Sequence, residues 1–246
     1  MAVVRIGIGG WSYPPWRESF FPKGLVQSKE LDFASRQFGA IEINGTFYSR
    51  QARSTWEKWG AATPQGFQFA VKGSRYCVTR PKMADAGEGI GNFLAQGLTA
   101  LGDKLGPILW MLAARRKYDR EDIGAFLKLL PEQYEGVRLR HVIEPRHDSF
   151  RDQAFFDLCR DHDVAVVFGD DDEFPCIDCD TASFAYARLQ RMRSDVPTGY
   201  DETSLDAFAK RARGWQAKGL DSYIFMINGA KERAPAAALA LQQRLG

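Results

Sequence analysis

Apolar residues in this chain gather into short β-like runs, and stretches with helical spacing separate one run from the next. In order, the runs are Arg5–Gly10 (R-I-G-I-G-G), the head of Ala40–Tyr48 (A-I-E-I-N-G-T-F-Y), Phe67–Gly73 (F-Q-F-A-V-K-G) and Leu105–Leu112 (L-G-P-I-L-W-M-L). They continue with His141–His147 (H-V-I-E-P-R-H), Val164–Asp170 (V-A-V-V-F-G-D), Phe184–Gln190 (F-A-Y-A-R-L-Q) and Ser222–Asn228 (S-Y-I-F-M-I-N). Such runs suit strands buried on both faces. Helices are expected at about Lys29–Phe38, over the segment opened by Ser54 or Thr55 and closed before Pro64, and at Asn92–Leu101 and Asp119–Leu130. Further helices are expected at Asp152–His162, Tyr200–Lys218 and Glu232–Leu245. Ser74–Gly91 is polar and rich in Gly and Pro, which predicts a loop. Asp171–Ser183 carries acids and two cysteines without a helical stripe. Eight strands alternating with helices predict an α/β fold, a single-domain TIM-like (β/α)8 barrel over residues 1–246, its sixth helix weak or missing. An open doubly wound sheet is the alternative, but no G-x-G-x-x-G turn follows the first strand to support it.

The strands are apolar early and polar late. Glu42 and Asn44 end the second, Lys72 the third, Glu144 and Arg146 the fifth, Asp170 the sixth, Arg188 the seventh and Asn228 the eighth. In the extended stretch from Ala40, Ile41 and Ile43 point to one side and Glu42 and Asn44 to the other. A carboxylate within a sheet is costly unless it is paired or used. In a barrel the C-terminal strand ends meet at one rim, where active sites form. The plain alternative is a structural plug of ion pairs, Glu42 with Arg188 and Glu144 with Lys72. Such pairs are no clear gain over an apolar plug, which favours a site.

Composition narrows the classes of function. Hydrophobic content of 45% and charged content of 26% are those of an ordinary globular protein. A net charge of +2 makes no electrostatic case for nucleic acid or an anionic membrane. Arg115-Arg116-Lys117 and Lys210-Arg211-Ala212-Arg213 are the only local exceptions, and read most simply as solvated helix faces. The opening M-A-V-V-R-I runs straight into a strand, so neither a signal peptide nor a membrane span is expected, and the protein is placed in the cytoplasm. Cys176 and Cys179 form a single C-x-x-C pair, read as reduced thiols, and His141, His147 and His162 are too scattered for a metal cluster.

The pieces G-G-W-S-Y-P-P-W, E-I-N-G-T-F-Y, T-P-Q-G-F-Q-F-A-V-K, L-G-P-I-L-W-M-L and E-P-R-H together resemble the domain-of-unknown-function 72 (DUF72, YecE-like) family, from about Ile6 to the end of the eighth strand. The resemblance implies a TIM-barrel-like fold and no established activity. It carries over Trp11, Tyr13, Glu42, Asn44, Thr46, Tyr48, Lys72, Glu144, Arg146, His147 and Arg188 as the pocket. The chain departs from the family pattern twice. A Gln followed by prolines after the fourth strand is here Met111-Leu112-Ala113-Ala114, and paired asparagines followed by a Gly-containing segment after the eighth are here Asn228-Gly229-Ala230-Lys231, then Glu232-Arg233-Ala234-Pro235. If those positions touch ligand, an amide or two has been lost.

Several chemistries are open to these residues. Glu42 and Glu144 could serve as the paired acids of a glycosidase, which stand roughly 5 to 9 Å apart, but Lys72, Arg146 and Arg188 would keep both ionised. His147 could act as a general base, or be a rim histidine bonded to backbone. Lys72 could form a Schiff base, but nearby carboxylates are expected to raise its pKa, which favours an anion contact instead. Lys72, Arg146 and Arg188 make a clamp for phosphate or carboxylate, and Trp11, Tyr13, Trp16 and Tyr48 could stack a sugar or base above it, although Trp16 and Phe20 read better as packed hydrophobes. A divalent metal would find only Glu42, Glu144, Asp170 and His147, so no metal ligands are assigned and no organic cofactor is expected. The resulting expectation is a barrel that binds, and if an enzyme turns over by acid–base or hydrolytic chemistry, a small anionic, phosphorylated or sugar-like compound. Its catalytic residues would be Glu42, Glu144 and His147. Its binding residues would be Trp11, Tyr13, Asn44, Thr46, Tyr48, Lys72, Arg146, Asp170, Arg188 and Asn228. A nucleic-acid-binding or phosphodiester-cleaving barrel and a non-catalytic binding module are the alternatives.

Overall fold

The structure, a computed structural model, describes residues 2–246. Strands β1 (Val4–Gly9), β2 (Ala40–Ile43), β3 (Gln68–Lys72) and β4 (Leu105–Met111) come first. A two-residue hairpin, β5 (Gln133–Tyr134) and β6 (Val137–Arg138), then leads into β7 (His141–Glu144), β8 (Val164–Val166), β9 (Phe168–Asp170), β10 (Phe184–Leu189) and β11 (Asp221–Met226). Apart from the hairpin these form one nine-stranded sheet in the order β8-β7-β4-β3-β2-β1-β11-β10-β9, every neighbouring pair parallel. Its two ends, β8 and β9, are consecutive in the chain. Val167 alone separates them, and its N–H donates to the Ile143 carbonyl at 3.0 Å. The two pieces are therefore one kinked barrel strand that faces β7 with its first half and β10 with its second. The sheet closes into an α/β barrel as the strand pattern requires.

Helices α1 (Glu30–Gln37), α2 (Arg53–Ala62), α3 (Arg75–Val78), α4 (Gly87–Leu94), α5 (Arg120–Lys128), α6 (Gln153–Asp161), α7 (Glu202–Ala217) and α8 (Ala234–Leu245) lie in the connections. No helix is present in 171–183, so the sixth crossover is irregular, as its lack of a stripe predicts. Among the described residues no helix is long and apolar enough to cross a membrane.

Two expectations are corrected. Ser74–Gly91 is not a loop: it contains α3, whose first turn is capped by the Ser74 hydroxyl, a 3-10 turn at Met83–Ala86, and α4. Met83, Ala86, Ile90, Phe93 and Leu94 are buried at helical spacing, and that burial outweighs the poor helix propensity of Gly87, Gly89 and Gly91. The helix expected at Asn92–Leu101 instead ends at Leu94, because Gly97 takes a left-handed φ of 95° and a 3-10 stretch, Leu98–Lys104, follows. The β5–β6 hairpin was not anticipated. Its two loop residues, Glu135 (φ 47°) and Gly136 (φ 77°), both adopt the left-handed conformation of a tight hairpin turn.

Parity along the strands divides the core in two. Ala40, Ala70, Leu109, Val142, Ala165, Tyr186 and Phe225 fill the barrel, and the alternate residues, such as Ile41, Phe69 and Trp110, pack outward against the helices. Strand β1 presents Gly7 and Gly9 where its neighbours present side chains. A Cβ on Gly7 would lie 1.8 Å from the Ala40 carbonyl oxygen and 3.4 Å from the Phe225 ring, so a hydrogen is all that fits. A G7A variant is expected to lose about 3 kcal/mol or more of unfolding free energy in urea titration, because the clash is with backbone that cannot rotate away. A variant as stable as the parent would show that β1 and β2 do not approach in this register.

Candidate functional site

One step further along each strand, the inward positions become Gly9, Glu42, Lys72, Met111, Glu144, Val167, Arg188 and Ile227. These form a ring at the C-terminal mouth of the barrel. Arg188 is 1% exposed and holds the ring together. Its Nε donates to Glu42 Oε2 at 3.1 Å and its Nη2 to Glu42 Oε1 at 3.1 Å, while its Nη1 donates to Glu144 Oε2 at 2.6 Å. The Tyr186 hydroxyl, on the same face of β10, donates to Glu42 Oε2 at 2.7 Å. Arg146 donates from Nε and Nη2 to Glu144 Oε1 at 3.2 and 3.0 Å. Glu42 is therefore paired with Arg188, as the plug alternative supposes, but Glu144 goes to Arg188 and Arg146 rather than to Lys72.

The charge count follows from this network. Glu42 and Glu144 are balanced by Arg188 and Arg146, which leaves Lys72 over. Among the described residues Lys72 Nζ has no carboxylate within 4.0 Å and no hydrogen-bond acceptor; it rests over the Phe47 ring at 4.6 Å, and the residue is 8% exposed. Burial, reinforced by Arg188, lowers the Lys72 pKa to about 8, although Glu42 and Glu144 pull the other way. The expectation that neighbouring acids raise it is thus corrected: they do pull upward, but burial and Arg188 outweigh them. For Glu144, burial alone would raise the carboxyl, but Arg188, Arg146 and Lys72 outweigh it and hold the pKa below the ordinary range. Burial and then Glu42 push the Tyr186 phenol well above its usual value, which keeps it a donor.

Above the ring is a cavity of about 350 Å³ lined by Gly9, Asn44, Tyr48, Lys72, Met111, Arg146, Arg188, Met226, Ile227, Asn228 and Lys231. No carboxylate is on its wall. Lys231 is a second amine without an ionic partner among the described residues; it lies over Tyr13 at 4.9 Å, and burial lowers its pKa.

A model of the family described as "Protein of unknown function DUF72" matches residues 5–246. The chain belongs to this family. It is similar in fold to a DUF72 family protein of Thermotoga maritima, with 20% identity, 99% of each chain covered and a TM-score of 0.77. A DUF72 family protein of Enterococcus faecalis is similar at 17% identity, covering 99% of this chain and 95% of that one, with a TM-score of 0.77. The "UPF0759 protein YunF" of Bacillus subtilis is 34% identical over 70 residues, which are 28% of this chain and 24% of that protein.

The end of β4 and the segment that follows β11 also reach the cavity wall. Met111 puts its Sδ 4.0 Å from Arg188 Nη1, and the segment after β11 contributes Asn228 and Lys231. Of the residues the sequence nominates, Asn44, Tyr48, Lys72, Arg146, Arg188 and Asn228 line the cavity, with Glu42 and Glu144 below it. Tyr13 stands behind Lys231. Four others are placed elsewhere. Trp11 packs edge-on against Trp59 at 5.1 Å, and the buried Thr46 donates to the Lys72 carbonyl at 2.6 Å, tying the end of β2 to β3. His147 accepts the Ser149 N–H at 3.1 Å and so starts the turn Asp148–Phe150. Asp170 accepts from the Tyr200 hydroxyl at 2.8 Å and from Arg191 Nε at 2.7 Å, in a separate cluster. Trp16 is fully buried, the packed role expected of it. The site residues nominated from sequence omit Tyr186, and omit Met111 and Lys231 although both fall in the two segments noted as departing from the family pattern. The signals were there: Lys231 is the first cation after the eighth strand, and Met111 and Tyr186 share strand parity with Leu109 and Arg188.

Arg188→Met leaves two buried carboxylates facing each other, and should cost about 3–5 kcal/mol in urea unfolding at pH 7. Glu144 has a folded pKa below its ordinary 4.5, so its contribution is present above that pH and is lost as pH falls through the folded value. The gap between variant and parent should therefore narrow at pH 3.5. Equal stability at pH 7 would mean that the guanidinium does not carry the ring.

Proposed function

We propose that this DUF72 barrel binds a small anionic compound, phosphorylated or carboxylated and of sugar-like size, in the cavity at its C-terminal mouth. The observation that carries the reading is the charge left over there: Lys72 and Lys231 face a cavity with Arg146 and Arg188 on the same wall, and among the described residues no acid lines it and neither amine has an ionic partner. A partly desolvated amine without an ionic partner is unfavourable, and a bound anion would relieve that cost. The polar side chains of Asn44, Tyr48 and Asn228 on the same wall suit a ligand with hydroxyl groups. In this reading Glu42 and Glu144 are not proton donors. They hold Arg188 and Arg146 in place, and so position the clamp. His147 lies off the cavity wall and has no part in the binding step. The free cysteines, one of them exposed, suit a reducing cytoplasm.

A second reading, a nucleic-acid phosphate as the anion, draws on a neighbouring cavity of about 380 Å³ lined by Thr79, Arg80, Pro81, Ala113, Arg115, Arg116 and Lys117. Its loops follow β3 and β4 and so belong to the same rim. Arg116 there is already paired with Asp122 at 3.0 Å, and Arg211 of the other basic run with Asp178 at 2.6 Å, which leaves less charge for a backbone.

Substitution of Lys72 separates a plug from a site. Its folded pKa lies below its ordinary 10.5, so the folded state resists a proton that the unfolded chain takes up, and the penalty is full below about pH 8. K72M should raise stability by about 1–3 kcal/mol at pH 7, an advantage that fades as pH approaches 10.5. It should also weaken binding of inorganic phosphate or a sugar phosphate in calorimetry by about tenfold or more, as should Arg146→Met and Lys231→Met. A destabilised K72M, with no anion bound by the parent at millimolar concentration, would return these residues to a structural plug. Competition of a DNA duplex with phosphate, steeply weakened by salt, would favour the second reading.

A further inference from the structure

We infer that Lys72 is a nucleophilic amine, and that the ligand of the mouth cavity is an aldehyde or ketone carrying an anionic group, with which Lys72 forms a reversible imine. The inference rests on the anion-binding reading and adds the reacting atom to it.

The Lys72 backbone carbonyl is fixed by the Thr46 hydroxyl at 2.6 Å, which anchors the end of β3, and the side chain's amine lies over the Phe47 ring at 4.6 Å. No acceptor takes its protons. The groups that could have done so are committed: Glu42 to Arg188 and Tyr186, Glu144 to Arg188 and Arg146. The charged and titratable groups around it are Glu42 from β2, Tyr48 from the following turn, Glu144 and Arg146 at the end of β7, Arg188 from β10, and Lys231 beyond β11. A lysine meant as a permanent charge would be given a carboxylate. One largely desolvated by the barrel wall, beside guanidinium groups and open to a cavity, has the surroundings of an amine that reacts as its free base. The lowering of its pKa to about 8 agrees with this.

The step balances without a cofactor. The neutral Lys72 amine adds to the carbonyl carbon to form a carbinolamine. The C–N bond stays, the carbonyl oxygen leaves as water with the two amine protons, and a neutral imine remains, which can take one proton from solvent. Hydrolysis reverses it. The anionic group would sit against Arg146 and Lys231, which share the wall with Lys72. Inorganic phosphate, which has no carbonyl, can lie across Lys72 as well; a ligand whose anionic group is taken by Arg146 and Lys231 presents its carbonyl carbon to the Lys72 amine instead.

The test uses the whole protein and pyridoxal 5′-phosphate as a phosphate-bearing aldehyde probe, with pyridoxal as the same aldehyde lacking the phosphate. Imine absorbance is followed at pH 7, the adduct is fixed with borohydride, and modified lysines are identified by peptide mass. The expected result is saturable labelling of Lys72 at least about tenfold faster than of exposed lysines such as Lys58 and Lys210, slowed by inorganic phosphate and by R146M, and slower with pyridoxal. Phosphate that binds in calorimetry, with Lys72 labelled no faster than Lys58, would overturn the imine and leave the anion reading standing. Equal rates with both aldehydes and no protection by phosphate would overturn the anionic substrate class and the anion reading with it. Both comparisons are made on the parent chain, so neither depends on a variant folding.

Discussion

A guanidinium shared between two carboxylates, in the driest part of the barrel mouth, is the interaction around which the remaining features arrange themselves. Arg188 reaches Glu42 through two nitrogens and Glu144 through the third, and each acid has a further donor, Tyr186 or Arg146. A buried ion pair stabilises little by itself, because the desolvation of each partner cancels most of the attraction. What it enforces is position. Strands β2, β7 and β10 are not adjacent in the sheet order, and Arg188 ties their ends together across the lumen. The cavity floor is therefore rigid, and whatever sits above it meets a fixed set of charges.

The barrel itself came readily from the pattern of the chain, because a parallel strand buried on both faces leaves a run of apolar residues that little else produces. The ring of polar positions was legible for the same reason: Glu42, Lys72, Glu144 and Arg188 each end such a run. Two things were not legible. Helix α4 is written in glycines, and only the burial of Ile90 and Phe93 against the sheet reveals it. The allocation of partners was also hidden. Strand spacing says that acids and bases meet, but the register decides which ones, and Arg188 took both acids. Burial sets the sign of the shift at Lys72, with Arg188 adding to it and the two acids opposing it, which proximity of acids alone gets wrong. Trp11 and Asp170 illustrate the opposite case, residues of site-like type at the right end of a strand that the local geometry turns into other clusters.

Membership of the DUF72 family and similarity to two solved relatives at 20% and 17% identity fix the architecture and go no further. The cavity wall is described by this chain's own residues: Met111 puts a thioether beside Arg188, and Lys231 adds a cation to the wall that Lys72 and Arg146 share.

The leftover charge is what argues against reading the mouth as a plug. A plug has every reason to come out neutral, since any uncompensated ion in it costs several kcal/mol and an apolar residue would fit the same space. Glu42, Glu144, Arg188 and Arg146 satisfy that rule among themselves. Lys72 breaks it from a position one residue type away from a harmless methionine, the residue that Met111 supplies on the neighbouring strand β4. Groups that break the rules of stable packing without local compensation concentrate where a protein does its work. The amine of Lys72 is such a group, and its surroundings, a fixed carbonyl below and an aromatic face alongside, keep it aimed at the cavity rather than free to find a partner elsewhere.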